Sequence, residues 1–584
     1  MLEGDTVWYI DAIYGMMSLI NISPYRKKLN GWLCYAFASE VFVIVSLTLF
    51  LPICLEQFAR DNGYLLPDKT KPCSAIQPVQ NATSTLEIEP ARCVVKIGWA
   101  WIDSASFSLY VYSASVALQA ITVVSMGGIA DHPPHRKLLL LTFAAAGSLA
   151  ATAFLLLPSS SMFWYLSALL AIVANVGFGA SVVAMNSYIP SLAKEDPKVV
   201  GILNRMEQAG LREQTESVID LDPDSSTDSA DAPLLSRPES ESTDKRRQLE
   251  EKYQAELSRA TSRISSLGIA LGYGAGICLL IVALIPVTML HGSTFALRLA
   301  IGLSGIWWAV FTVPAVLWLP SVSSYSHPAL RRSERGNVQD DLDDKDWSFW
   351  REIGAAWVRL GNMLRWREIK KLRNTFKYLA AWFLLSDGFT TITSTAILFG
   401  KTTLHMSPSA LILIGILTPT SGILGSLLWP ILQRRFGWSN LKVLVILVIM
   451  ASLIPAYGCL GFLVQGRVKF GGLTTPGEMF ALAVYFGSVY GAFQGYARAF
   501  YAELLPPGEE ARWYGLFSIT DKSSSFIGPL VVGLISDLTG NIRYAFFFLV
   551  FMVWSAVPIL MSVDVDRGRK DAQGYEYRSH PSGP

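Results

Sequence analysis

Long apolar segments recur along this chain in two sets of six, and they constrain its fold more than any other feature. Each segment has about 20 residues, the length at which a helix crosses the ~30 Å hydrocarbon core of a bilayer with its backbone amides paired internally. The predicted spans are residues 32–55, 105–128, 137–157, 162–187, 263–288, 295–319, 376–400, 408–430, 441–464, 477–502, 513–536 and 543–563. The polar stretch 320–375 separates the two sets. We therefore predict an all-α membrane protein of twelve transmembrane helices, arranged as two pseudo-symmetric six-helix halves over residues 32–319 and 376–563.

The composition agrees with a membrane protein and argues against several other classes. Of the 584 residues, 51% are hydrophobic and 16% are charged, whereas soluble globular proteins have ~25% charged residues. A formal net charge of +2 gives no indication of nucleic-acid binding. The sequence contains no nucleotide-binding, zinc-protease or Gly-x-Ser-x-Gly motif, and its cysteines lack metal-ligand spacing. We therefore expect no enzyme, no cofactor, no metal ion and no nucleic-acid partner.

The distribution of basic residues predicts the orientation in the membrane. If the N-terminal segment 1–31 is cytosolic, most of the 48 Lys and Arg residues fall on the cytosolic side, as the positive-inside rule requires. Short loops agree, because the pair Arg434 and Arg435 is then cytosolic as well. We predict that both termini are cytosolic, including the tail 564–584.

The loop 57–104 then lies in the lumen on the other side of the membrane. It contains an N-glycosylation sequon at Asn81 and two cysteines, Cys73 and Cys93. Glycans and disulfides both form on that oxidising side. We expect a glycan on Asn81 and a disulfide between Cys73 and Cys93, with two free thiols as the alternative to the disulfide.

Two cytosolic segments differ in character. The loop 192–262 is predicted to be disordered, because its stretch 209–244 is rich in Ser, Asp, Glu and Pro. Within that stretch, Asp231–Leu235 resembles an acidic dileucine signal for a sorting adaptor, although such a sequence also arises by chance in linkers. In the linker 320–375, Trp and Leu recur every three or four positions over 346–372 with Arg and Lys between them. This pattern predicts an amphipathic helix on membrane lipid, which either braces the two halves or forms a regulatory surface.

The two halves also resemble each other. Residues 37–40 in the first span match residues 384–387 in the seventh, because each ends in a carboxylate that follows serine at a similar depth. The fifth span contains four closely spaced glycines, and the eleventh contains Gly528 and Gly533. Such small residues let helix backbones approach closely. An internal duplication of six helices is the plan of the major facilitator transporters.

The loop between the second and third spans resembles the facilitator loop motif G-x-x-x-D-R-x-G-R-K. The resemblance rests on Gly127, Asp131, Arg136 and Lys137, whereas residues 132–135 depart from the pattern. In such a loop the glycine allows close helix contact, and the acid pairs with a cation and a helix end. The resemblance therefore implies a gating role for these four residues.

Within that superfamily, the chain resembles the autophagy-related protein twenty-two family of fungal vacuolar amino-acid effluxers over nearly its whole length. The matching stretches are residues 31–32, 35–42, 55–63, 520–522, 524–525, 528–533 and 539–540. The resemblance implies a place in the vacuole membrane and the export of amino acids released by autophagic degradation. The alternative is a non-transporting nutrient sensor or receptor with a transporter fold.

Ionisable groups inside a bilayer are costly, so those within the spans are the candidates for substrate binding or ion coupling. Glu40 and Asp387 can bind a substrate ammonium group or carry a coupled proton. Arg498 and Lys522 can hold a substrate carboxylate. The further candidates are Asn175, Asn186 and Asp521. The alternative is that these groups pair with one another and lock the bundle.

Overall fold

The apolar segments of the first half fold as helices in the predicted order. These helices are α1 (Pro24–Asp61), α2 (Ser104–Asp131), α3 (Pro133–Ala153), α4 (Leu166–Asn186), α5 (Ile189–Lys194), α6 (Glu239–Met289) and α7 (Thr294–Trp318). The middle of α1 is π-helical over Phe42–Phe50. The computed structural model describes residues 23–67, 69–73, 92–131, 133–206, 208, 239–321, 348–464, 471–506 and 510–575. The predicted glycan on Asn81 and the predicted sorting signal Asp231–Leu235 lie outside these ranges.

The linker and the second half supply the remaining helices. The linker contains α8 (Phe349–Met363) and α9 (Trp366–Lys371). The second half contains α10 (Arg373–Thr402), α11 (Pro408–Phe436), α12 (Asn440–Val464), α13 (Pro476–Ala502), α14 (Glu510–Ser524), α15 (Ile527–Thr539) and α16 (Ala545–Met561), and α17 (Val565–Gln573) follows it.

Ten helices in the described part of the chain are long and apolar enough to cross a membrane. Two predicted spans are not among them: residues 477–502, which correspond to α13, and residues 513–536. The latter are divided, because α14 ends at Ser524 and α15 begins at Ile527. The all-α membrane fold is confirmed, and the count of twelve spans stays a prediction.

A small antiparallel sheet adds to the predicted all-α fold. Its strands are β1 (Tyr64–Leu65), β2 (Cys93–Ile97) and β3 (Ala100–Asp103), in the order β1-β2-β3. A disulfide joins Cys73 to Cys93, with the Cα atoms 5.9 Å apart. We call the end of the bundle that carries this sheet the sheet end, and the opposite end, where α1 and α10 begin, the linker end.

Close packing of α1 against α6 depends on the glycines of the predicted fifth span. A Cβ atom on Gly272 would lie 2.5 Å from the Cβ atom of Glu40, and one on Gly268 would lie 2.6 Å from the Trp32 ring. A larger residue at either position would require the Trp32 or Glu40 side chain, or α1 itself, to move. The first half packs further through contacts of α4 with α2 and α3, and of α7 with α1 and α3.

The second half repeats this arrangement, with α11 and α12 packed on α13, and α10 and α12 packed on α16. The two halves meet where α2 contacts α14 and α15, α6 contacts α11, and α1 contacts α10.

Two predictions about cytosolic segments need correction. The disorder predicted for residues 192–262 is wrong for residues 192–206, which are mostly helical, and again from Glu239 onwards, where α6 begins. Many of these residues are Glu, Lys, Arg and Gln, which favour helix even though they are polar. The amphipathic stretch 346–372 forms two helices instead of one, because Arg365 between them is extended.

Candidate functional site

Glu40 lies in the middle of α1 and is partly exposed. Among the described residues, its carboxylate has no hydrogen bond and no ion pair within 4 Å. The cations whose charges act on it are Lys522 and Arg498, both from the other half. Arg498 in α13 is exposed, and its guanidinium likewise has no ion pair with a described residue. One uncompensated carboxylate of the first half thus faces two cations of the second half.

Tyrosines from three helices lie near these charges or near one another. Tyr273 in α6 interacts electrostatically with Glu40 and Arg498. Tyr490 in α13 interacts with Tyr273 and accepts a hydrogen bond from the Gln494 side chain at 2.9 Å. Tyr112 in α2 lies close enough to Tyr490 to interact with it as well.

The charges and rings thus come from both halves. We call this set the central cluster; it comprises Glu40, Tyr112, Tyr273, Tyr490, Arg498, Asp521 and Lys522.

Asp521 and Lys522 are neighbours at the side of the central cluster, in α14. The Lys522 ammonium lies 3.6 Å from the Asp521 carboxylate. Asp521 also accepts a hydrogen bond from the Ser386 hydroxyl at 2.5 Å. Asp521 is therefore held by protein groups, and Lys522 is partly neutralised, which leaves Arg498 as the stronger candidate for a substrate carboxylate.

Asp387 has different surroundings from Glu40, its predicted counterpart. It is buried at 3% exposure. Its two carboxylate oxygens accept hydrogen bonds from the Gly528 amide at 2.9 and 3.0 Å, and one also accepts from the Thr391 hydroxyl at 3.3 Å. Gly528 is in the first turn of α15, where a negative charge is favoured by the helix dipole. Asp387 thus holds the start of α15 just after the break in the predicted eleventh span.

The two asparagines are placed differently from each other. Asn175 is buried at 1% exposure. Its side chain donates to the Ser115 hydroxyl at 2.7 Å and accepts from Gln119 at 3.1 Å, so it joins α4 to α2. Asn186 is exposed at the linker end of α4. Asn175 is therefore engaged in packing within the first half, whereas Asn186 is open to a ligand.

The predicted gating loop makes its described contacts within the first half. Arg136 donates to the Ala130 carbonyl at 3.0 Å, and its guanidinium lies 5.0 Å from the Tyr188 ring. Lys137 donates to the Leu319 carbonyl at the end of α7 at 2.8 Å. The close helix contact expected at Gly127 is wrong, because a Cβ atom there would meet nothing within 4 Å.

The side chain of Asp131, the remaining residue of the gating loop, lies outside the described part of the chain. The gating role therefore stays a prediction for this loop.

A second set of polar contacts joins the two halves at the sheet end, and it centres on the last turn of α15. Arg92 donates to the carbonyls of Ser536 at 3.0 Å and Asp537 at 2.5 Å, and it pairs with Asp103 at 3.1 Å. The Asp537 carboxylate accepts from the Asp103 amide at 2.8 Å and from the Tyr110 hydroxyl at 2.7 Å. The sheet is thereby fixed to the end of α15.

An ion pair between α1 and α10 lies at the same end. Glu56 is fully buried, and its carboxylate lies 3.3 Å from the Arg60 guanidinium and 3.6 Å from the Lys401 ammonium. Lys401 also donates to the Gln57 side chain at 3.3 Å. Sequence reasoning missed Glu56 because it lies one residue beyond the predicted first span; its place in the family-like stretch 55–63 was the available signal.

Comparison with known proteins identifies the family. The model of the family described as "Vacuole effluxer Atg22 like" matches residues 25–573. The chain belongs to this family. It is 42% identical to Autophagy-related protein 22 of Cryptococcus neoformans, with 94% of this chain and 97% of the relative covered. It is 39% identical to Autophagy-related protein 22 of Coccidioides immitis, with 94% of this chain and 88% of the relative covered.

Solved structures agree on the fold of this Atg22-like chain. The inward-open xylose transporter XylE from E. coli matches with a TM-score of 0.51 at 9% identity, over 92% of this chain and 96% of that chain. A POT family transporter in complex with 5-aminolevulinic acid matches with a TM-score of 0.51 at 13% identity, over 93% and 96%. The chain therefore has the major facilitator fold, and it is a multi-pass membrane protein of a transporter family.

Proposed function

We propose that this chain is a vacuole-membrane transporter that exports amino acids released by autophagic degradation to the cytosol, and that the central cluster is its substrate site. The observation that carries the proposal is the unpaired Glu40 carboxylate opposite Arg498 and Lys522. An α-amino acid has an ammonium group and a carboxylate on adjacent atoms. Glu40 can bind the ammonium group, and Arg498 can bind the carboxylate through a two-pronged hydrogen bond.

Binding between the halves supports alternating access. Because Glu40 belongs to α1 and Arg498 to α13, an amino acid that contacts both would draw the two halves together. The rings of Tyr112, Tyr273 and Tyr490 add apolar surface with a polar edge, which suits an amino-acid side chain that must enter and leave. An uncompensated carboxylate in the middle of α1 is costly, so the presence of Glu40 there favours a function in transport.

The difference between the two ends of the bundle supports a state in which the substrate site is open to the cytosol. At the sheet end, Arg92, Asp537 and the Glu56–Lys401 pair connect the halves. At the linker end, Arg498 and Asn186 are exposed. With the linker end placed in the cytosol, as the basic residues predict, the substrate site opens towards the side that receives the amino acids.

Asp387 has a positioning role in this proposal. It holds the amide of Gly528 at the start of α15, and the last turn of α15 carries the contacts of the sheet end. Its hydrogen bonds therefore stabilise the helix that closes the lumenal side, and it is not assigned to substrate binding.

The test is the efflux of radiolabelled amino acids from isolated vacuoles, with and without this chain. We expect faster efflux with the native chain and a loss of that increment with Arg498→Gln. Arg435→Gln, a charge change on an exposed residue at the linker end, is the matched control and should keep native efflux. Equal efflux with and without the native chain would contradict the proposal and favour a sensor without transport.

A further inference from the structure

The linker helix α8 has two neighbouring faces of different chemistry. Ala356 and Met363 are buried against the protein. Beside them, Trp350, Trp357 and Leu364 follow one another at intervals of seven residues and are 77%, 44% and 48% exposed. Residues seven apart lie on one side of a helix. A packed face and a neighbouring exposed aromatic face are typical of a helix that lies at the boundary between protein, lipid and water.

The exposed aromatic face continues the outer surface of α2. Leu118 and Ile121, which are 46% and 54% exposed, share one face of α2 with Ser125. The indole of Trp357 donates a hydrogen bond to the Ser125 hydroxyl at 3.1 Å. The surface that a membrane-spanning α2 presents to lipid tails therefore leads directly to the tryptophans of α8. Lipid, and not a second protein, is the occupant that this continuity favours.

Cations surround the next tryptophan. Trp366 in α9 is 68% exposed. Arg365, Arg367 and Lys370 are exposed beside it, and the Lys370 ammonium lies 5.9 Å from the Trp366 ring. A tryptophan among cations is suited to the membrane interface, where the indole ring lies at the level of the headgroups and the cations reach the phosphate groups. Anionic phospholipids carry the negative charge that would attract these cations, and they are concentrated in the cytosolic leaflet.

We propose that α8 and α9 form a binding surface for anionic phospholipid headgroups, with Trp350, Trp357 and Trp366 in the interface and Arg365, Arg367 and Lys370 on the phosphates. α8 is bonded to α2 of the first half, and α9 leads into α10 of the second half. Lipid bound here contacts a segment that connects both halves at the linker end. We therefore expect anionic lipid to bind the chain and to increase its transport rate.

The test measures the affinity of the purified full-length chain for phosphatidylserine by native mass spectrometry, with phosphatidylcholine as the reference lipid. We expect the combined Arg365→Gln, Arg367→Gln and Lys370→Gln variant to lose the preference for phosphatidylserine by more than about tenfold, because each cation near an anionic leaflet contributes roughly fivefold. The matched control is the combined Arg434→Gln, Arg435→Gln and Lys442→Gln variant, which removes the same charge from another exposed part of the linker end. It should keep the preference.

A charge-retaining variant, Arg365→Lys with Arg367→Lys and Lys370→Arg, separates lipid binding from misfolding and should bind phosphatidylserine like the native chain. An equal loss in the control, or no preference for phosphatidylserine in the native chain, would overturn the proposal. Lipid affinity is measured without transport, so a failure of the amino-acid proposal would leave this result intact. Flux in phosphatidylcholine vesicles with and without phosphatidylserine then tests the expected increase in rate; equal flux would refute that part.

Discussion

Glu40 in α1 and Asp387 in α10 occupy matching places in two halves built on one plan, yet their surroundings differ. Glu40 has no hydrogen-bond partner in the described part of the chain and interacts with Lys522 and Arg498 from a distance. Asp387 is buried, and both of its oxygens accept hydrogen bonds from the Gly528 amide. A duplication thus preserves the depth of a side chain in its helix, whereas its partners depend on neighbouring helices that have diverged. The break between α14 and α15 is what gives Asp387 its partner.

The largest expected effect is a difference in amino-acid flux between removing the negative charge of Glu40 and removing that of Asp387. Glu40→Gln should reduce amino-acid flux roughly 10- to 150-fold at normal abundance, because a hydrogen bond to a charged group contributes ~1.5–3 kcal/mol. Asp387→Asn keeps an acceptor for the Gly528 amide and should retain most of the flux. Flux in proteoliposomes at matched protein content is the measurement.

Glu256→Gln is the control for the loss of a glutamate charge, because Glu256 forms a surface pair with Arg259 in α6. Such pairs contribute ~0–1 kcal/mol, so native flux is expected. Equal flux in Glu40→Gln and the native chain would remove Glu40 from the substrate site.

A smaller effect concerns stability, where we expect substitution of Asp387 to cost more than substitution of Glu40. Asp387→Ala leaves the buried Gly528 amide without a partner, at a cost of ~1–3 kcal/mol. Glu40→Ala removes no hydrogen bond to a described residue and should change stability much less. Gly528→Ala sharpens the comparison, because its Cβ atom would lie 1.9 Å from the Thr391 hydroxyl. Thermal unfolding in detergent should therefore rank Asp387→Ala and Gly528→Ala below Glu40→Ala; the reverse ranking would refute the positioning role of Asp387.

The smallest effect concerns pH at the far end of α15. Burial raises the pKa of Asp103, and the nearby Asp537 charge adds to this, while hydrogen bonds from the Ala105 amide and Arg92 oppose it. A carboxyl whose pKa is higher in the closed contact than in water favours the closed contact at low pH, and this contribution is lost as pH rises through the raised pKa. Acid on the sheet side should therefore shift the equilibrium towards closure.

Pulsed electron paramagnetic resonance can measure this shift between spin labels at positions 99 and 539, which are both exposed. The short-distance population should grow as pH falls in the native background and stay constant in Asp103→Asn. A short-distance population that falls with acid in the native background would contradict the assignment.

Much of the fold follows from the sequence for a simple physical reason. A bilayer accepts few structures, so apolar length alone locates α1 to α4 and α10 to α12. Hydropathy failed at residues 239–262, where polar helix formers extend α6 and Leu257 and Ala260 pack against the core. It also missed the break after Ser524, because the strongly apolar residues of α15 led to a single predicted span that included the more polar end of α14.

The candidate site was less accessible to sequence reasoning. Glu40 was found because an acid inside an apolar span is conspicuous. The partner of Asp387 was not, because the Gly528 amide lies 141 residues away. Arg92 and Asp537 are 445 residues apart, and no local pattern in either segment indicates that they meet. Contacts of this kind depend on how the two halves dock, which local residue patterns do not specify.

Counterflow in proteoliposomes that contain the native chain tests the central claim most directly. Vesicles loaded with unlabelled amino acid should accumulate the same amino acid in labelled form. Each carrier that releases unlabelled substrate outside the vesicle can bind labelled substrate there and return with it. The corresponding amine, which lacks the carboxylate for Arg498, and the corresponding carboxylic acid, which lacks the ammonium group for Glu40, should both fail to drive exchange. Counterflow driven equally well by the amine or the acid alone, or none with the intact amino acid, would contradict a substrate site built on Glu40 and Arg498.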